Sequence, residues 1–526
     1  MTTPHTLHGL LQDSAVRGPE RTAVVDGGRS LTYRDLDEQS NQLAHLLGDL
    51  GVGRGDRVGL FLNKSLESVV ALYGVLKVGG AYVPLDPRAP ASRVAYITAN
   101  CDIRCLLTGV EKAAAWPDLL ASGSTITTVV LMNGAAAEAP PGLQVVARDE
   151  LDQRPVTPPV VPVIDLDLAY ILYTSGSTGV PKGVKLSHLN ALGFVRWAAD
   201  AFGVQPEDRV SSHAPLHFDL SIFDLFSAHL GGASVVLVPQ KASTFPIEAV
   251  RFIRDNEITI WYSVPSILSM MVERGGIGDG DLPSLRTILF AGEVFPTKYL
   301  RRLMELLPAV RFANLYGPTE TNVCTWHDVT SIPEGDDPVP IGQAIENVEV
   351  FAVTSEGRRA AVGEVGELYV RGTTVMNGYW GDAERTAQTL VAHPFDPEAA
   401  DRAYRTGDLV KEAADGAYEF LGRRDAQIKS RGYRIELGDI ESALNAHSEV
   451  LECAVIAIPD DLITNRIKAF VATNVALAAR DLAAFCAERV PAYMIPETFS
   501  ILDALPKTST GKIDRQALQQ AGSDGA

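Results

Sequence analysis

Leu168-Ala169-Tyr170-Ile171-Leu172 runs without a break into Tyr173-Thr174-Ser175-Gly176-Ser177-Thr178-Gly179-Val180-Pro181-Lys182-Gly183. The short apolar run reads as a buried strand, and the residues behind it are rich in hydroxyls and glycines and carry a lysine. Glycines let successive backbone N–H groups converge, hydroxyls add donors, and Lys182 supplies positive charge, so the segment predicts a phosphate cradle. It is not a Walker A loop, which closes on Gly-Lys-Ser/Thr, whereas Lys182 stands between Pro181 and Gly183. The alternative for these residues is a flexible Gly/Ser loop.

From Leu168 to Glu320 apolar strand-like runs alternate with amphipathic ones, the pattern of βαβ units and a mostly parallel sheet. Ser187 is expected to cap a helix whose apolar face falls at Leu192, Val195, Ala199 and Phe202. Strands are predicted at Ser234–Val238, Ile258–Ser263, Thr287–Ala291 and Arg311–Tyr316, and helices at Glu248–Asn256, Ile267–Arg274 and Thr297–Leu307. Ligands of open α/β sheets bind beyond the carboxyl ends of the strands, which places Tyr262, Ala291, Gly292, Leu315 and Tyr316 on one rim. Residues 134–163, rich in Ala and Pro, read as a surface connection with little regular structure. After Gly422-Arg423-Arg424-Asp425 a helix at Ile440–His447, strands at Cys453–Ile458 and Ile467–Thr473 and a helix at Asp481–Arg489 suggest a separate small domain. Gln519–Ala526 reads as a frayed tail. The expected class is therefore α/β: a large domain over residues 1–424 with mostly parallel sheets flanked by helices, and a small α+β domain over 425–526.

The 526 residues are 46% hydrophobic and 21% charged, a globular balance with ample material for a core. Their net charge of −19 argues against nucleic-acid backbones and anionic membranes as partners, so a phosphate site has to be built locally. No run approaches the length of a membrane span, and Met1 to His5 lack the basic and apolar regions of a secretory signal. Cys101, Cys105, Cys324, Cys453 and Cys486 are scattered, with no Cys-x-x-Cys pair. They are expected to be reduced and buried, without zinc or a disulfide framework, in a cytoplasmic protein.

Other segments make sense around a nucleotide. In Asn314-Leu315-Tyr316-Gly317-Pro318-Thr319-Glu320, Tyr316 can stack on a base, Thr319 meet phosphate and Glu320 hold magnesium, which takes carboxylate and phosphate oxygens. Read alone, the segment is equally a Gly-Pro turn with a satisfied glutamate. Asp408, after the turn glycine Gly407, suits ribose hydroxyls, although Gly-Asp is common turn chemistry. Lys512, in Thr510-Gly511-Lys512-Ile513, matters only if the small domain brings it to the strand rim.

Together with Leu31–Leu36, Leu76–Asp86, Gly366–Gly372 and Gly422–Glu436, these segments run in the order of the adenylate-forming superfamily, which includes acyl-CoA ligases, luciferases and the adenylation domains of nonribosomal peptide synthetases. The chain resembles the last group from residue 31 to residue 518. The resemblance implies that a carboxylate attacks the α-phosphorus of ATP, giving an acyl-adenylate and pyrophosphate, and that a thiol then takes the acyl group. It further implies that Thr174, Ser175, Gly176, Ser177, Thr178, Gly179 and Lys182 enclose the pyrophosphate part. Tyr316 would stack on adenine, Asn314 meet its amino group, and Asp408 hold the ribose, with Phe420 and Arg423 also at the nucleotide. Glu320 would coordinate Mg2+ beside Thr319, Lys512 would bridge the substrate carboxylate and the nucleotide, and Asp425 would be the hinge of the small domain.

His217-Phe218-Asp219-Leu220-Ser221-Ile222-Phe223-Asp224 resembles the segment in which amino-acid-activating members carry an aspartate for the α-amino group. A carboxylate facing an apolar pocket needs a cation or hydrogen bonds; an ammonium supplies this and a fatty acid does not. The alternative for Asp219 is a helix N-cap. The remaining pocket positions given by the resemblance, Leu220, Phe223, Tyr262, Leu289, Ala291, Leu315 and Val323, with Gly292 at the rim, are apolar or weakly polar. A charged or amide side chain would go unpaired there, at about 1–3 kcal/mol or more. The set looks like the pocket of freestanding prolyl carrier-protein ligases that supply proline for pyrrole groups in bacterial natural products. The expectation is an ATP- and Mg2+-dependent ligase that activates L-proline, or another small apolar amino acid, and loads a separate peptidyl carrier protein through its phosphopantetheine thiol. The rival readings are an acyl-CoA ligase for a small carboxylic acid and a catalytically silent nucleotide-binding module.

Overall fold

The computed structural model describes residues 4–134, 138–176, 180–278, 281–424, 427–507 and 513–523. Ser177, Thr178, Gly179, Asp425 and Lys512 lie outside the described residues.

Two large sheets share one core. The seven-stranded sheet runs Gln144–Val146, Thr128–Asn133, Cys105–Gly109, Arg57–Phe61, Ala81–Pro84, Leu168–Thr174 and Lys182–Ser187, parallel except for its last pair. The nine-stranded sheet has a parallel centre, Arg311–Tyr316, Thr287–Ala291, Ile260–Ser263, Arg209–Ser212, Ser234–Leu237 and Thr22–Asp26, with antiparallel edges. Thr287-Ile288-Leu289-Phe290-Ala291 is buried at every position, as a strand covered by helices on both faces must be. The faces then part company. Leu289 and Ala291 join Tyr170 and Leu172 of the other sheet in the central core, while Ile288 and Phe290 pack under the amphipathic helix Thr297–Leu306 with Leu300 and Leu303.

The predicted elements of this region form with small shifts at their ends: Ser234–Leu237, Ile260–Ser263, Pro246–Asp255, Pro265–Arg274 and Thr297–Leu306, with Thr287–Ala291 and Arg311–Tyr316 unchanged. Both helices that start early begin on proline, which has no N–H to lose in a first turn. Ser187 caps His188–Ala201, accepting from the Asn190 N–H while Asn190 returns the bond. A five-stranded antiparallel sheet between Val348 and Arg423 lies beyond the sequence-based expectations. The connection 134–163 has little regular structure among its described residues, as expected: the strand Gln144–Val146, which extends the sheet edge with β-branched residues, and the short turn of helix Arg148–Glu150. One further expectation is corrected. The tail is not frayed as far as Ser523: Arg515–Ser523 is a helix, anchored by buried Leu518 and by Gln519 Nε2 donating to the Ala457 carbonyl at 2.6 Å.

The C-terminal domain is separate and largely antiparallel. It comprises a hairpin, Gln427–Ser430 with Tyr433–Glu436, and a sheet of Glu452–Asp460, Thr464–Ala472 and Thr498–Leu502, the last strand parallel to its neighbour. Helices Leu437–Asn445 and Ala479–Ala487 cover one face of that sheet, and Leu505 and Leu518 the other. All five cysteines are buried and unpaired. Among the described residues no helix is long and apolar enough to cross a membrane.

Candidate active site

The carboxyl ends of Ile260–Ser263, Thr287–Ala291 and Arg311–Tyr316 open on a small cavity of about 100 Å³, closed from the far side by the hairpin of the C-terminal domain. Asp219, Leu220, Tyr262, Ala291, Gly292 and Val323 line its apolar end, and Thr174, Ser175, Thr319, Asp408 and Arg423 its polar end. Eleven sequence-predicted residues thus meet on one surface.

Phe223, Leu289 and Leu315 do not line it. They are fully or almost fully buried one layer back, with the Phe223 ring edge-on to Tyr262 at 5.6 Å. They fix the wall, and Tyr262 presents the surface. Asp219 sits on the loop before a π-turn, Phe223–Ser227, a kink often found at functional sites. Burial pushes its carboxyl up from the usual range, opposed by the Thr319 hydroxyl and the nearby Lys429 ammonium. The carboxylate therefore gains from any cation placed in the cavity. His217 Nε2, in the same loop, is buried without a hydrogen-bond partner among the described residues.

At the polar end, Gly176 is required by close approach: a Cβ there would lie 2.3 Å from the Val180 carbonyl oxygen. Ser175 Oγ donates to the Arg434 carbonyl at 2.7 Å, and Thr174 Oγ1 is buried with no partner among the described residues. Lys182 does not reach this cavity. Its ammonium lies 3.1 Å from Glu320 Oε1, which also accepts from the Tyr379 hydroxyl at 2.8 Å, while Arg434 Nη1 holds Oε2 at 2.7 Å. Burial alone would raise the Glu320 pKa; Arg434 and Lys182 outweigh it and hold the carboxyl well below its usual range. Lys182 is pushed down to about 8 by burial and by Arg434, with Glu320 opposing.

Glu320 is thus ionised and an oxygen donor. It fits a magnesium ion, which needs only one or two carboxylates when phosphate and water complete its shell. Among the described residues no cluster of three or more His, Cys, Asp or Glu side chains could hold a metal unaided. Asp408 accepts from the Tyr316 hydroxyl and from Arg423. Tyr316 is buried, its ring 6.4 Å from Phe420, and Asn314 donates to the Pro340 carbonyl at 2.9 Å, so these three stand beside the cavity rather than in its wall.

A family model described as AMP-binding enzyme matches residues 11–380, and one described as AMP-binding enzyme C-terminal domain matches residues 439–512. The chain belongs to the AMP-binding enzyme family. It is 44% identical over 97% of its length to the L-proline L-prolyl-carrier protein ligase of Pseudomonas fluorescens, covering 98% of that protein. It is 34% identical over 98% of its length to a segment of tyrocidine synthase 1 of Brevibacillus parabrevis, spanning 45% of that protein. Among solved structures, a holo nonribosomal peptide synthetase protein with adenylation and PCP domains, bound to a vinylsulfonamide inhibitor, is 26% identical with a TM-score of 0.82, over 98% of this chain and 84% of that one.

This AMP-binding enzyme closes its cavity with residues that sequence reading does not assign: Gln427, Lys429, Gly432, Tyr433, Arg434 and Tyr493. Tyr433 stacks on Tyr493 at 3.7 Å and meets Phe218, next to Asp219, edge-on at 4.9 Å. Gly432 N–H donates to Glu293 Oε1 at 2.7 Å across the two domains, and a Cβ at Gly432, whose φ is 80°, would lie 2.4 Å from Val264 Cγ1. The basic and aromatic residues of the run 427–436 are the available signal. By contrast, Lys507 and Ile513, which flank Lys512, bridge each other, and Lys507 pairs with Glu452 on the same domain. Neither residue lines the cavity.

Proposed function

We propose that the chain activates an amino acid, L-proline before others, as its aminoacyl-adenylate with release of pyrophosphate, and passes it to the phosphopantetheine thiol of a separate peptidyl carrier protein. The observation that carries this reading is Asp219: one carboxylate, pushed up by burial, on a cavity lined also by Phe218, Leu220, Tyr262, Ala291, Gly292 and Val323, with His217 and Asn322 beside them. A secondary ammonium satisfies that carboxylate, and a pyrrolidine ring suits an apolar wall stiffened by Phe223. The relative of Pseudomonas fluorescens supports the same substrate and acceptor.

In this reading Asp219 orients the amino acid so that its carboxylate faces the α-phosphorus. The donors of Thr174 and Ser175 and the Lys182 charge receive phosphate oxygens, and Asp408 holds the ribose. Lys512 stabilises charge where the carboxylate meets the nucleotide, and Asp425 is the hinge between residues 1–424 and 425–526. Magnesium held by Glu320 would offset charge on the departing pyrophosphate. Removal of apolar contacts discriminates weakly, roughly 1–3 kcal/mol per methylene, so close ring analogues are expected as slower substrates. The test is ATP–pyrophosphate exchange across the twenty amino acids; a strongest signal with anything other than L-proline overturns the assignment. Transfer to a holo carrier protein, compared with coenzyme A, tests the acceptor.

A further inference from the structure

Arg434 reaches Glu320 from the other domain. It belongs to the hairpin strand Tyr433–Glu436 of the C-terminal domain, whereas Glu320, Lys182 and Tyr379 belong to the large one. Its guanidinium takes Glu320 Oε2 at 2.7 Å, and Glu320 is fully buried. Oε1 is already held by Lys182 and Tyr379, so Oε2 is the oxygen that the large domain leaves open. Arg434 also forms a wall between two cavities. One side is the cavity of Asp219; the other is a polar chamber of about 560 Å³ that includes Lys182, Arg385 and Arg423. The hairpin is pinned there by Ser175 Oγ on the Arg434 carbonyl and by Glu293, whose second oxygen accepts from the Ser266 N–H at 3.0 Å.

We propose that Arg434 is a positioning residue that competes with the divalent cation for Glu320, so that the domain pose described here and the metal-loaded phosphate site exclude one another. This rests on the reading of Glu320 as the metal-holding carboxylate. A guanidinium and a divalent cation repel at one carboxylate oxygen, and binding energetics that couple a metal to a pose must couple the pose to the metal by the same factor. While metal and pyrophosphate are held, the hairpin is expelled. When they leave, Arg434 supplies the positive charge that a buried carboxylate requires, and the hairpin closes the cavity. The second chamber, on the other side of Arg434, is then the outlet that such an exchange would use.

The experiment uses the full chain and two readouts other than catalysis. Mn2+ binding in the presence of inorganic pyrophosphate is followed by the loss of the free-ion EPR signal. The pose is followed with Mg2+ in place of Mn2+, through dipolar broadening between nitroxides on Lys298→Cys and Asp461→Cys. These residues form an exposed ion pair across the two domains at 2.6 Å, and all native cysteines are buried. Arg434→Gln should bind Mn2+ about fivefold or more tightly than wild type, the low end of such couplings, and Arg434→Lys should fall between them. Mg2+ with pyrophosphate should reduce the broadened fraction in wild type and leave it unchanged in Arg434→Gln. Equal Mn2+ affinity in wild type and Arg434→Gln, with weaker binding in Glu320→Gln, overturns the competition and leaves the metal reading standing. Unchanged affinity in Glu320→Gln overturns the metal reading and the proposal with it. Thermal melts of each variant separate these outcomes from unfolding.

Discussion

Replacing Asp219 by asparagine keeps the shape of the side chain and removes its charge. The amide oxygen can still accept from Thr319, the partner of the native carboxylate, while the new NH2 turns a donor toward the substrate ammonium. Breaking one side of a fully buried ion pair costs about 3–5 kcal/mol. Asp219 is only partly buried, so a lower figure of about 2–3 kcal/mol is appropriate once screening is allowed for. At about 1.36 kcal/mol per decade this is roughly a 30- to 160-fold loss in kcat/KM for L-proline. The assay is ATP–pyrophosphate exchange with L-proline and, in parallel, cyclopentanecarboxylate, which keeps the ring and lacks the nitrogen. The carbocycle should be used poorly by both proteins and at nearly the same rate, since it has no ammonium to pair. An equal loss on both acids would show that Asp219 acts through pocket structure, and a loss of less than about threefold with proline would remove it from recognition altogether.

Three further outcomes are expected. Lys512→Ala should cripple adenylation and spare thioester formation from preformed aminoacyl-adenylate; exchange activity near wild type would remove Lys512 from the first step. His188 and His229 are buried, and desolvation lowers both to about 4 from the ordinary value of 6.5. His188 Nδ1 accepts from the Leu7 N–H at 3.1 Å, and His229 lies 2.6 Å from the Tyr73 hydroxyl. The folded state holds them neutral while the unfolded chain protonates below about pH 6.5, so stability is full above that value and falls as the pH drops toward about 4. From about pH 7 to about 5.5 the two together should remove about 2 kcal/mol, and a urea midpoint that does not move over this interval contradicts the assignment. Leu518→Ala should cost the C-terminal domain about 2–5 kcal/mol, seen as a lower melting temperature and faster proteolysis; no change would mean that the last helix does not anchor there.

The parts of the fold legible in the sequence are those with strong local periodicity. Thr287–Ala291 and Arg311–Tyr316 are continuous apolar runs, and Ser187 with Asn190 is a cap that a short window contains. The antiparallel sheet between Val348 and Arg423 escapes such reading because its strands take their order from distant partners: Val365–Gly372 pairs with Arg402–Glu412 across an insertion containing a helix and another strand. Leu518 escapes it because its helix is polar on most sides and buries a narrow stripe against Ile456 and Leu505. At the site, Tyr262 and Ala291 are readable because strand ends and pocket coincide, and Asp219 through the resemblance of residues 217–224. Arg434 and Glu293 are not, since their meaning depends on how one domain sits on the other, and no spacing along a chain encodes that.

The cavity walls divide by origin. Asp219, Leu220, Tyr262, Ala291, Gly292 and Val323 all come from before Cys324, and the C-terminal domain adds a lid of polar and aromatic residues. The side chains proposed to choose the substrate and those that close over it are therefore inherited through different stretches of gene. An exchange of DNA between two relatives with its break at Arg424 would carry the proposed substrate pocket with the upstream stretch. It would ask of the downstream one that a glycine stand at Gly432, where the lid passes Val264, and that Tyr433 and Arg434 meet Phe218 and Glu320.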